Sequence, residues 1–278
     1  VAFTPFGWQC CPAWQTKVIL ARPRPTLALV TITSGPSADT ARRVLVVTAH
    51  PDDVDFAASA TIARWTAHGV HVTYLVCTAG DAGGFDETPR TEMAALRQAE
   101  QRAAAAAVGV TEVRFLGYPD GRVVESLELR RDITRVIRRV RPDRVVTHSP
   151  EIDWRRIAVA HPDHRAVGAA AVASVYPDAR NPFAHPELDR DGLEPWTVRE
   201  LWLVGSPAER INHAVDVTDT FDRKAAALAA HRSQTAHLPE LVEELRAVMA
   251  EAAAELLPAS ASPGGPRLAE TYQVVDTA

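Results

Sequence analysis

The run Val44-Leu45-Val46-Val47-Thr48 breaks off at Ala49-His50-Pro51-Asp52-Asp53. A short, mostly β-branched stretch without polar alternation reads as a strand buried on both faces, the kind found in parallel sheets. In open α/β sheets ligands bind in the crevice beyond the carboxyl ends of such strands. An imidazole and two adjacent carboxylates delivered there are poor packing residues, because a buried ionised group is costly unless it is paired or bound to a metal. The expectation is a divalent ion with a catalytic base beside it.

From Arg43 onward strands and helices alternate. Apolar spacing predicts a helix over 56–68 that stops at Gly69. A strand over 70–77 and a glycine-bearing loop, Thr78 to Gly84, come next. An alanine-rich helix is predicted over 91–108, then a strand over 113–116 with the turn Gly117-Tyr118-Pro119-Asp120-Gly121. Further on come a helix over 127–140, a strand over 144–148 and a helix over 164–175. The Pro/Asp-rich stretch from Tyr176 to Trp196 is long for a connection in a compact domain, which marks it as functional or disordered. Strands over 198–204 and 211–217, helices over 221–232 and 239–257, and a last strand over 271–275 complete the chain. Such alternation requires right-handed crossovers and a largely parallel sheet. The fold class expected is α/β: a single Rossmann-like domain over 41–278 with a mainly parallel sheet flanked by helices. Residues 1–40 show no clear period and are read as a poorly specified extension outside that fold.

Composition excludes several classes. A chain of 278 residues with formal net charge −5 has no general electrostatic attraction for nucleic acid or an anionic membrane. Cys10, Cys11 and Cys77 form no disulfide framework and no paired metal spacing, which favours a reducing compartment. The apolar stretch 18–32 is interrupted by Arg22-Pro23-Arg24-Pro25, too charged and short to span a bilayer, and it lacks the order of a secretory signal. The reading is a soluble, cytoplasmic protein.

A second polar cluster, His161-Pro162-Asp163-His164, opens the helix after the 144–148 strand. The strands before the two clusters can be neighbours at a switch point, so that both clusters face one crevice. Two imidazoles and a carboxylate are a common ligand set for catalytic zinc, with a position left for water. His50, Asp53 and His164 are the preferred ligands, since His50 and Asp53 lie about one helical turn apart. Asp52 is then left as general base, and His161 stands near the substrate carbonyl, to polarise it or to protonate the departing nitrogen. Spacing alone does not divide the roles of Asp52 and Asp53. Zn2+ is the expected ion, with Fe2+ admissible in a mixed N/O site.

With Phe115-Leu116-Gly117-Tyr118-Pro119-Asp120-Gly121 between the two His-Pro-Asp motifs, and with Ala230-His231-Arg232-Ser233-Gln234 and Ala269-Glu270-Thr271-Tyr272 later on, the chain resembles the LmbE-like, or PIG-L, family of zinc-dependent N-acetylglucosamine deacetylases. The resemblance runs from about Arg43 to the carboxyl terminus. It implies zinc on His50, Asp53 and His164, Asp52 as base, and His161 stabilising the tetrahedral intermediate. It also puts Asp120 on a sugar hydroxyl. Departures are Asp55 and Ala57-Ala58, where the family often has glutamate and a glycine pair. The segment 154–160 also lacks the tyrosine that mycothiol-pathway members carry.

Plainer roles stand beside these. Either aspartate could N-cap the next helix, and Asp120 fits ordinary turn chemistry. Arg97 reads as a solvated helix residue paired with Glu100, with substrate contact the weaker alternative. His148 is expected to make a structural hydrogen bond. His68, His71, His185, His213, His231 and His237 are read as structural, with His231 the one among them with most claim to another role. Gly80, Gly83 and Gly84 are expected to lend mobility to a rim loop. The function expected is metal-dependent removal of an acyl group, acetyl first, from the amide nitrogen of a small amino sugar or conjugate. No nucleic acid or membrane partner is expected, and homo-oligomerisation is left open. The alternatives are an amidase of a bulky thiol or natural-product conjugate, its pocket built by Tyr176 to Trp196, and a non-catalytic sugar- or nucleotide-binding module.

Overall fold

The computed structural model describes residues 31–33, 41–85, 88–258 and 266–278. Strands β1 (Thr31–Thr33), β2 (Arg43–Thr48), β3 (His71–Thr78), β4 (Glu112–Tyr118), β5 (Arg144–His148), β6 (Glu200–Val204), β7 (His213–Asp216) and β8 (Ala269–Asp276) form one sheet. Its order is β1-β7-β8-β6-β5-β2-β3-β4. Neighbours are parallel except at β8, which runs antiparallel to both β6 and β7. The α/β class and mainly parallel sheet read from the sequence are what the chain adopts. β2 lies between β3 and β5, so chain order reverses at the β2/β5 boundary, where a doubly wound sheet opens its crevice.

Helices α1 (Asp53–Ala57), α2 (Ser59–Ala67), α3 (Arg90–Ala107), α4 (Leu127–Val140), α5 (Pro162–Val175), α6 (Pro186–Arg190), α7 (Phe221–Ala230), α8 (Arg232–Thr235) and α9 (Leu241–Leu256) cover the strands. The absence of polar alternation in β2 has its explanation here. Val44 and Val46 pack beneath α2, α3, α7 and α9, whereas Leu45 and Val47 pack beneath α4 and α5. Both faces of the strand are therefore dry, and both need apolar side chains. The helix expected over 56–68 starts three residues earlier and is split at Ala58, whose backbone (φ −142°, ψ 1°) leaves the helical region.

Two expectations about irregular segments are corrected. Thr31–Thr33 pair with His213–Val215 as a parallel edge strand, so those residues belong to the sheet and not to an extension outside it. The rest of 1–40, with Cys10 and Cys11, lies outside the described residues. The stretch from Tyr176 to Trp196 does not build a pocket at the strand ends. The Trp196 indole donates to the Pro142 carbonyl (2.7 Å) and lies beneath the Arg43 guanidinium, at the amino-terminal edge of the sheet. It also folds around Arg138 of α4, whose buried guanidinium donates to the carbonyls of Asp178, Ala179, Asn181, Ala184 and Leu193. A stretch too long for a simple connection is gathered here around a buried cation saturated with carbonyl acceptors, with Asp178 also paired to Arg130 and His185.

That dependence is testable. Arg138→Met keeps the aliphatic stem but leaves five carbonyls without their shared donor, and we expect a loss of about 3 kcal/mol or more in denaturant unfolding. A loss under about 1 kcal/mol, the size of a surface ion pair, would show that the segment is held by something else.

Candidate metal centre and active site

The carboxyl ends of β2 and β5 lie side by side, with Val47 opposite Thr147. The β2–α1 turn carries His50 and Asp52, and Asp53 opens α1. His148 ends β5, His161 closes the connection to α5, and Asp163 and His164 lie in the first turn of α5. α5 approaches closely because residue 168 is glycine, where a Cβ would stand 2.4 Å from the His148 carbonyl oxygen.

His50, Asp53 and His164, a hundred residues apart in part, meet at one point. His50 Nδ1 is 3.2 Å from His164 Nε2, Asp53 Oδ1 is 3.0 Å from His164 Nε2, and Asp53 Oδ2 is 3.6 Å from His50 Nδ1. The opposite ring nitrogens decide what these atoms present. His50 Nε2 lies 3.1 Å from both Asp163 Oδ2 and Asp120 Oδ1. Carboxylates only accept, so the His50 proton sits on Nε2. His164 Nδ1 lies 3.3 Å from the Val159 carbonyl oxygen, which likewise places its proton there. Both inward nitrogens then offer lone pairs toward a carboxylate. Three facing acceptors repel one another unless a cation joins them, either a second proton on His50 Nδ1 or a metal ion. Ligand bonds of 2.0–2.2 Å in a tetrahedral set put donor atoms about 3.4 Å apart, close to the separations seen. The residues fit a divalent ion, and the outer hydrogen bonds are those that orient histidine ligands.

Asp53 has further support. Its Oδ2 accepts from the backbone N–H of His50 (2.7 Å) and Ala49 (3.1 Å) and from His148 Nε2 (3.1 Å). Burial would raise the Asp53 pKa, but His164, His148 and His50 outweigh it and hold the carboxyl well below its ordinary range. Burial works against protonated His50 as well, yet Asp53, Asp120 and Asp163 together raise it well above the ordinary imidazole value. Burial and the neighbouring His164 push His148, which stacks on the His164 ring at 4.2 Å, down to about 4. Neutral His148 donates to Asp53, and with Asp53 and His164 it forms one of the groups that could hold a metal ion.

Asp52 faces elsewhere. Its backbone is left-handed (φ 92°), a conformation that costs a non-glycine residue about 1–3 kcal/mol. Its Oδ2 lies 3.2 Å from Arg97 Nη2. Burial raises its pKa, Arg97 opposes, and the result stays above the ordinary carboxylate value. His161 caps α5 by accepting from the Asp163 N–H through Nδ1 (3.2 Å), and its ring stands edge-on to His50 at 5.0 Å. Burial, then the charge of His50, lowers the His161 pKa. Its neutral form therefore carries a proton on Nε2.

The structure corrects several sequence readings. Arg97 is not solvated and does not pair with Glu100. It is 4% exposed and donates to the carbonyls of Pro51 and Gly80 as well as to Asp52. Glu100 instead accepts from the N–H and hydroxyl of Ser233. Gly80 and Gly83 do more than loosen a rim loop: a Cβ at either would fall within 2.5 Å of the Arg97 guanidinium, so they let the loop close over it. Asp120 places Oδ1 on His50 and accepts from the Ala82 N–H through Oδ2. Asp163 went unassigned, although it also accepts from the N–H groups of Gly121 and Val123. Its position in the first turn of α5, between two histidines, was the available signal. His231 Nε2 lies 2.8 Å from Asp55 Oδ2, with both residues fully buried. Trp154 is 76% exposed.

Three known proteins similar to this chain share one description, that of a deacetylase. The family described as PIG-L, GlcNAc-PI de-N-acetylase, matches residues 45–175. A 1D-myo-inositol 2-acetamido-2-deoxy-alpha-D-glucopyranoside deacetylase of Rhodococcus erythropolis is 31% identical over 73% of this chain and 84% of its own length. A probable N-acetyl-alpha-D-glucosaminyl L-malate deacetylase of Bacillus cereus is 35% identical over 70% and 84%. The N,N'-diacetylchitobiose deacetylase of Pyrococcus horikoshii superposes with a TM-score of 0.76 at 28% identity, covering 86% of this chain and 85% of that one.

Gly168 gives a test in which two effects oppose. Alanine inside a helix normally gains about 0.8–1 kcal/mol over glycine, but overpacking against the His148 carbonyl costs about 1–3 kcal/mol. Gly168→Ala is therefore expected to lower the denaturant midpoint and to weaken the binding of an added divalent ion by tilting His164 away from Asp53. A stabilised variant with unchanged divalent-ion affinity would contradict the close approach.

Proposed function

Because this chain belongs to the PIG-L family, we propose that it is a hydrolase removing the acetyl group from the amide nitrogen of an N-acetylated amino sugar or amino-sugar conjugate. The observation that carries the reading is the convergence of His50 Nδ1, His164 Nε2 and Asp53 on one point, with Asp52 beside them but outside that set. The relatives act on an acetamido-glucoside of inositol, an N-acetylglucosaminyl malate and a diacetylchitobiose. These share an N-acetylated amino sugar and differ in what it is joined to. The alternative of a bulky conjugate rested on Tyr176 to Trp196, which packs against α4 and the far edge of the sheet.

In this reading His50, Asp53 and His164 hold a zinc ion, with iron(II) the other metal such donors accept. Bound there, it would supply Lewis acidity toward the amide carbonyl and bring the pKa of water to about 7. Asp163 and Asp120 fix His50 in the tautomer that turns Nδ1 inward. Asp52, buried and raised above its ordinary pKa, takes the proton released as water attacks the amide carbon. Arg97 holds the Asp52 carboxylate in place. His161 donates through Nε2 to the oxygen on which charge develops, and the amine leaves with the proton that Asp52 has taken. Water is consumed, the C–N bond breaks, and acetate and a free amine result.

Acetate release and zinc content, measured together on two variants, test the division of labour. Asp52→Asn should lose about 100- to 10,000-fold in turnover and keep one ion per chain. Asp53→Asn should lose the ion and the activity with it. If Asp52→Asn loses metal and Asp53→Asn keeps it, the two roles are reversed.

A further inference from the structure

Behind Asp52 lies a buried polar chain that the reaction scheme leaves unused. The Asp52 backbone N–H donates to Gln101 Oε1 (2.8 Å). Gln101 Nε2 donates to Asp55 Oδ2 (2.8 Å), and His231 Nε2 lies 2.8 Å from the same oxygen. Gln101, Asp55 and His231 are each fully buried, and they come from α3, α1 and the α7–α8 junction. The direction of the chain is fixed. A carboxylate accepts and cannot donate, so Asp55 requires the NH2 end of the Gln101 amide. The amide oxygen must then face the Asp52 N–H. His231 helps to hold Asp55 in that orientation, and the Asp55 N–H donates back to the Asp52 carbonyl at 2.8 Å.

This arrangement holds a residue whose backbone is otherwise unfavourable, since Asp52 is one of the few non-glycine residues described at positive φ. Such a conformation persists only where its surroundings over-determine it. Arg97 fixes the Asp52 side chain and the Pro51 carbonyl, whereas Gln101 fixes the peptide N–H between them. We propose that Gln101, aligned by the Asp55–His231 pair, is a positioning residue that keeps Asp52 in its left-handed conformation and its carboxylate in line with the attacking water. The inference rests on the reading of Asp52 as the base. It assigns to α3 and the α7–α8 junction, neither of which touches His50, Asp53 or His164 in the contacts described above, a share in setting kcat.

The test compares Gln101→Leu, His231→Gln and His231→Asn with the parent holoenzyme, measuring kcat, KM and zinc content. Gln101→Leu removes the acceptor at nearly constant volume; kcat should fall about 10- to 100-fold, the scale on which small misplacement of a catalytic group acts, with KM within twofold and zinc retained. His231→Gln places an amide NH2 where Nε2 was and should recover kcat to within threefold of the parent, whereas the shorter His231→Asn should not. Gln101→Leu with kcat within twofold of the parent overturns the proposal. Should that variant fail to fold, the histidine pair decides: equal kcat in His231→Gln and His231→Asn overturns it. Asp52→Asn in the same assay separates the two readings. If it stays active the base assignment fails, and if it is inactive while Gln101→Leu is not, only the positioning role fails.

Discussion

Everything at the site depends on the parallel pairing of β2 with β5. That pairing joins strands a hundred residues apart and aligns their carboxyl ends, Val44 with Arg144 through Val47 with Thr147. A register slip of one residue would turn every side chain of β2 to the opposite face and put its dry residues against the wrong helices. The register also sets the chemistry. It places His148 where it donates to Asp53, and Gly168 lets α5 come close enough to bring His164 to the same carboxylate. The fold's packing and the convergence of His50, Asp53 and His164 are therefore specified by one interface.

Around that interface, charge is arranged in shells. Asp53 is held by two backbone N–H groups and an imidazole, His50 by Asp120 and Asp163, and Asp52 by Arg97 and Gln101. Buried carboxylates in this number would be unfavourable if any were left unpaired, and each has a specific donor. The same economy explains the glycines of the β3 loop. In the position from which Arg97 reaches Asp52, its guanidinium occupies the space a Cβ at residue 80 or 83 would take.

Much of this was legible in the residues themselves. The valine-rich strand, the two His-Pro-Asp clusters and the switch point between their strands followed from local pattern and topology rules, and the helices over 127–140 and 164–175 were located within about two residues of where they lie. What could not be read shares one cause: it depends on contacts between segments far apart in the chain. Arg97 looked solvated because the spacing to Glu100 suggests a surface pair, and nothing local reveals that a loop closes over it. The stretch from Tyr176 to Trp196 looked like a pocket wall because length was its only local signal, while its anchor, Arg138, sits in another helix. The edge strand at Thr31–Thr33 is too short to carry a period. No helix among the described residues is long and apolar enough to cross a membrane; most of the interrupted apolar stretch 18–32 lies outside them.

The central claim is that two imidazoles and one carboxylate share a single cation. Anomalous diffraction at the zinc edge, from crystals of catalytically active protein, tests it most directly. The account requires one peak per chain within bonding distance of His50 Nδ1, His164 Nε2 and an Asp53 oxygen, with Asp52 outside that distance. A peak on other residues, or fully active crystals with no peak at any transition-metal edge, would contradict it.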